Sequence, residues 1–108
     1  MDVKRFNLAA EEASEFIKSL ANPVRLRILC ALTAQECSVT MLAEAAGAPM
    51  STISRHLALL RKDRIVKTRR ESQTIFYSLA DAHVGKLIGF LAETFCPTAA
   101  PARRRKKL

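Results

Sequence analysis

The sequence predicts a mainly α-helical domain that carries one small β-hairpin. Three observations point there. Apolar residues recur at helical spacing in five separate stretches of the 108 residues. The pattern turns β-rich only once, over 65–70 and 73–79. Caps and breakers fall between these stretches, at Asn22-Pro23, Ser38, Gly47, Pro49 and Asp81.

Residues 8–20 set Ala9, Ala13, Phe16, Ile17 and Leu20 at helical spacing, with Glu11, Glu12 and Glu15 elsewhere on the wheel. Asn22 then suits a cap and Pro23 a first helical position. The helix over about 23–33 carries Val24, Ile28 and Leu32 on one face and Leu26 with Cys30 on another, so it has to be sandwiched. Ser38 caps a short helix at 39–46 that Gly47 ends, and Pro49-Met50-Ser51 opens another at about 51–62. Two short helices joined by a turn containing glycine form a helix-turn-helix. In its second helix Ile53, Leu57 and Leu60 share one side, while Ser51, Thr52, Arg55 and Lys62 take the other.

The β-rich runs flank Glu71-Ser72 as a hairpin with arginines on its first strand, near the tip. Asp81 caps a last helix over about 81–95, where Val84, Leu87, Ile88, Leu91 and Phe95 make a wide apolar stripe and Pro97 ends it. The order α-α-α-α-β-β-α, with the hairpin beside the second helix of the pair, is a winged helix-turn-helix over residues 1–97. Residues 98–108 read as a disordered basic tail. The terminal helices carry more apolar surface than so small a core can cover. They are therefore expected to pair two chains into a homodimer, which suits a twofold DNA site.

Composition narrows the function. The chain has 49% hydrophobic residues and a net charge of +8, with 18 Lys+Arg against 10 Asp+Glu. Five of the positive charges stand in Arg103–Lys107, leaving +3 for the remainder. Within that remainder, residues 55–70 hold Arg55, Arg61, Lys62, Arg64, Lys67, Arg69 and Arg70 against Asp63 alone. Such an excess on a folded segment either attracts a polyanion, with nucleic acid the leading candidate, or is a solvated face. No apolar run is long enough to span a bilayer, and the first twenty residues hold no stretch of signal-peptide type. A cytoplasmic protein without a membrane partner is expected. Cys30, Cys37 and Cys96 are odd in number with no CxxC spacing, which argues against a disulfide framework. A thiol enzyme needs a base beside its cysteine, and His56 and His83 stand on other elements, so no catalytic residue is expected.

The segments Leu20-Ala21-Asn22-Pro23-Val24-Arg25-Leu26-Arg27-Ile28-Leu29, Ser51-Thr52-Ile53-Ser54-Arg55-His56-Leu57 and Ile75-Phe76-Tyr77-Ser78-Leu79 together resemble the ArsR/SmtB family of bacterial repressors. The resemblance covers about residues 8–97 and implies a dimeric repressor that leaves its operator when an inducer binds or reacts. Arg64 and Ser72 stand where many relatives have glycine.

The family's metal sites can be compared position by position. The Cys-Val-Cys motif of arsenic sensors reads Ser38-Val39-Thr40 here, and hydroxyls are poor ligands for a soft ion. Asp81 and His83 match half of a zinc site, but the other half falls on Thr94 and Pro97. No metal and no other cofactor is therefore expected.

Leu26–Cys30 and Thr94–Pro97 resemble the persulfide- and thiol-redox-sensing subgroup. That resemblance implies a sensing pair, Cys30 and Cys96, which reactive sulfur species or another oxidant would link directly or through added sulfur, lowering DNA affinity. A metal-responsive repressor and a constitutive DNA-binding protein are the alternatives. On DNA, Ser51, Thr52, Ser54 and Arg55 are expected at base edges or phosphates, with His56 positioning a phosphate or packing, and Arg69 and Arg70 on phosphate or in the minor groove. Cys37 matches neither sensing position and reads as a loop bystander.

Overall fold

The computed structural model describes residues 1–96; the expected basic tail at 98–108 lies outside the described residues, as does Pro97. Five helices and one hairpin follow in order: α1 Val3–Leu20, α2 Pro23–Ala34, α3 Val39–Ala46, α4 Met50–Lys62, β1 Val66–Glu71, β2 Thr74–Leu79 and α5 Ala82–Phe95. The architecture is the expected winged helix-turn-helix.

Local chemistry sets most boundaries. The side chains of Asn22, Ser38 and Asp81 each accept backbone N–H bonds at the start of α2, α3 and α5, filling donors that a helix leaves unpaired. Helix α1 starts five residues before the periodic stretch, at Val3 rather than residue 8, because Asp2 accepts from the N–H groups of Lys4 and Arg5. A cap can extend a helix past its apolar stripe, and periodicity alone is blind to that.

Helices α3 and α4 end in the same way with different residues. Gly47 takes the left-handed conformation after α3 (φ 66°), and the N–H of Ala48 reaches back to the carbonyl of Ala43 at 3.2 Å. After α4 that conformation belongs to Arg64 (φ 62°). There the N–H of Arg64 donates to Arg61 O at 3.0 Å and that of Ile65 to Leu60 O at 2.9 Å. This double return is a Schellman motif, in which glycine is preferred at the left-handed position. Ser72 (φ 59°) does the same at the hairpin tip, where Glu71 pairs with Thr74. Both positions the sequence marked as departing from glycine thus keep the backbone that glycine favours.

The core lies where α2, α3, α4 and the base of the hairpin meet. Ile28, Leu29, Leu42, Ile53, Leu57 and Leu60 are fully buried there. Helix α2 is the sandwiched element: it packs on α3 and α4 on one side and on α5 on the other. Cys37 corrects an expectation. It is buried at 4% exposure, and its backbone N–H and C=O pair with Tyr77 at 3.0 and 2.8 Å, adding a third strand-like rung beside β2. A small apolar thiol flanked by two backbone bonds belongs to the core, which loop composition does not reveal. Helix α1 docks by its C-terminal end, through Leu20, Phe16 and a Ser19 hydroxyl bond to Asp63 at 2.9 Å. Its Val3, Phe6, Leu8 and Ile17 stay exposed, as does Phe90 on α5.

Candidate functional site

Two surfaces carry the candidate residues, one at each side of α2. The first is the outer face of α4. Burial of Ile53, Leu57 and Leu60 turns Ser51, Ser54, Arg55, Arg61 and Lys62 to solvent, with Thr52 and His56 half-buried at the flanks. A hollow of about 450 Å³ separates the second half of this helix from the hairpin, lined by Ser54, Leu57, Ala58, Arg61, Lys62 and Tyr77. The sequence reading placed Tyr77 in the second strand and gave it no role beside α4; only the fold brings the two together.

His56 is engaged from within. Its Nδ1 accepts a hydrogen bond from Arg25 Nε at 3.0 Å, and the same guanidinium donates to Ser19 O at 3.0 Å. Burial, then the charges of Arg25 and Arg55, push the His56 pKa below its ordinary value, so the ring is neutral at pH 7 and its nitrogen can accept. Arg25 thereby ties the end of α1, helix α2 and α4 together.

Of the two wing arginines, Arg70 pairs with Ile75 in the ladder, but its side chain has no hydrogen bond or ion pair among the described residues. Arg69 is held. Its Nε donates to both carboxylate oxygens of Glu36 at 2.9 Å, a second guanidinium nitrogen also bonds Glu36, and the third reaches Glu71 at 2.9 Å. The hydrogen bonds from Arg69 keep the Glu36 carboxyl below its usual range. No sequence signal linked Glu36 to the wing, since the two lie 33 residues apart.

The second surface is a groove of about 320 Å³ between α2 and α5. Leu26, Arg27 and Cys30 line one wall and Ile88, Leu91, Ala92, Phe95 and Cys96 the other. Both thiols are exposed there, and neither is in a disulfide. The structure thus brings Cys30 and Cys96 into one apolar groove and sets Cys37 apart in the core. Burial, then the Glu36 charge, raise the Cys37 pKa, which keeps it a thiol.

Asp81 spends one oxygen on the N–H groups of His83 and Val84, at 2.8 and 3.3 Å. Among the described residues no three His, Cys, Asp or Glu stand together as a metal site. No helix among them is long and apolar enough to cross a membrane.

Comparison with known proteins agrees with this layout. Residues 22–68 match the family model "Bacterial regulatory protein, arsR family". The transcriptional activator HlyU of Vibrio cholerae is 38% identical over 96 residues, 89% of each chain. The crystal structure of the transcriptional repressor BigR from Xylella fastidiosa superposes with a TM-score of 0.84 at 36% identity, covering 91% of this chain and all of that one. A homodimeric winged helix-turn-helix DNA-binding domain from Mycobacterium bovis does so with a TM-score of 0.72 at 30% identity, over 83% of each.

Proposed function

This chain belongs to the arsR family of bacterial regulatory proteins, and from that premise we propose that it is a homodimeric repressor released from its operator when Cys30 and Cys96 are oxidised to a linked pair. The observation that carries the switch is the shared groove: two exposed thiols, 66 positions apart in the sequence, line opposite walls of one apolar cleft.

Support for the dimer comes from the exposed apolar side chains of α1 and α5 and from the homodimeric neighbour. On DNA, α4 enters the major groove. Ser51, Thr52, Ser54 and Arg55 reach base edges or phosphates, Arg55 being the one able to grip guanine with two bonds. His56, already bonded to Arg25, packs and positions α4 rather than reading a base. Arg61 and Lys62 add salt-sensitive attraction.

The chemistry balances with an organic hydropersulfide as oxidant. One thiolate attacks the hydropersulfide's inner sulfur and expels hydrosulfide; the second thiolate then displaces the organic thiol. The product is a Cys30–Cys96 disulfide, two electrons having passed to the oxidant. A further hydropersulfide can insert one sulfur and leave as a thiol. Linking α5 to α2 shifts the helix that Arg25 fastens to α4, and operator binding ten- to hundredfold weaker requires only about 1.4–2.8 kcal/mol of coupling.

Mass spectrometry of hydropersulfide-treated protein, paired with operator binding, tests this. The expected product joins Cys30 to Cys96 inside one chain and loses DNA affinity, and Cys30→Ser or Cys96→Ser abolishes both changes. A Cys96→Ser variant that still releases DNA overturns the pairing, and release by metal ions with both thiols untouched replaces it with a metal signal.

A further inference from the structure

Wing cations are expected on DNA, yet the guanidinium of Arg69 is bonded to Glu36. Side chains alternate along a strand, so neighbours Arg69 and Arg70 leave opposite faces of β1. Arg70 shares its face with Thr68, whose partner across the ladder is Tyr77, the residue beside α4. Arg69 shares the outer face with its own partner Phe76, and its guanidinium carbon lies 4.8 Å from the centre of that ring. Beyond β2, the rung from Cys37 to Tyr77 sets Glu36 within reach. The guanidinium thus reaches from β1 past β2 and closes on Glu36, and it also bonds Glu71 on its own strand.

From this geometry we infer that Arg69 is a positioning residue, a clamp that fastens the wing through Glu36 to the loop between α2 and α3, and that Arg70 makes the wing's phosphate contact. A two-stranded hairpin is marginal on its own and needs anchoring. Here the base is anchored in the core by Ile65 and Val66, and the Cys37 bridge and this clamp add to that hold. The planar fork of arginine fits a carboxylate with paired bonds, so turning to a phosphate would break those bonds and uncover Phe76. A wing held in place before DNA arrives loses less freedom on binding. Glu36 lies six residues beyond Cys30 and two beyond Ala34, where α2 ends.

The test uses a fluorescein-labelled duplex selected by the wild-type chain from a randomised pool. The two proposals for Arg69 differ in sign. If Arg69 grips phosphate, Glu36 competes with DNA, and Glu36→Gln tightens binding. If Arg69 is a clamp, Glu36→Gln weakens binding about threefold, within the range of exposed ion pairs, and leaves the salt dependence of affinity unchanged because no cation is lost. Arg69→Lys keeps the charge but not the fork, so the clamp predicts a similar loss and a double variant no weaker than either single one. Both side chains lie at the surface, 36% and 49% exposed, so urea unfolding should find the core intact. Tighter or unchanged binding by Glu36→Gln, or an Arg69→Lys variant equal to wild type, overturns the clamp.

Discussion

Replacing Arg64 by glycine should stabilise this protein. Arg64 sits at φ 62° in the Schellman turn that ends α4, between the Arg61 and Leu60 carbonyls that the turn satisfies. A side chain in that conformation costs about 1–2 kcal/mol through the approach of Cβ to the following carbonyl. Glycine removes this strain but loses about 0.5–1 kcal/mol by freeing the unfolded chain. The net gain is roughly 0.5–1 kcal/mol, a midpoint shift of about 0.5–1 M urea for a small domain with a slope near 1 kcal/mol/M. Urea unfolding at one fixed protein concentration, followed by circular dichroism, reads it directly. Arg64→Ala is the control: it removes the same charge from beside Arg61 and Lys62 but keeps the Cβ, so its midpoint should stay near wild type. An alanine variant that gains as much as the glycine one would refute the strain argument and assign the gain to charge repulsion. Loss of stability on Arg64→Gly would refute it outright.

Iodoacetamide on the native protein should label Cys30 and Cys96 first, with Cys37 reacting roughly tenfold slower or less, since it is buried and its thiol pKa is raised; peptide mass mapping checks this. His56 is neutral in the fold and its pKa lies below 6.5, so the unfolded chain takes up its proton first as pH falls. Stability should therefore decline from about pH 6.5 down through the folded pKa, and His56→Gln, which keeps an acceptor for Arg25, should flatten that part of a melting-temperature profile. Arg55→Ala should cost about 1–3 kcal/mol and relax preference at one base position of a selected duplex, whereas a uniform loss across sequences would make Arg55 a phosphate contact.

Much of the fold was legible because each boundary had a local cause. Asn22, Ser38, Gly47 and Asp81 act within one helical turn of where they stand, and the buried rows of α4 and α5 follow their own spacing. What escaped depended on distant partners. Cys37 became core only because Tyr77 folds back beside it, and the guanidinium of Arg69 is engaged because Glu36 lies within its reach. The stripe on α1 was read correctly as apolar, yet in the single chain Ile17 stays exposed, since the helix docks only by its end. Charge and strand position alone could not separate Arg69 from Arg70; the pleat and an acidic neighbour do.

The groove between α2 and α5 shares no residue with α4 or the hairpin. With α4 and the hairpin as the proposed DNA-facing elements, DNA would leave its mouth uncovered. On the proposed thiol switch, a reagent would arm the groove without waiting for the protein to fall off, and the lag before transcription begins would be set by how fast that reagent arrives and reacts, not by the residence time of the complex. Tight occupancy and a prompt response are then compatible in one small molecule.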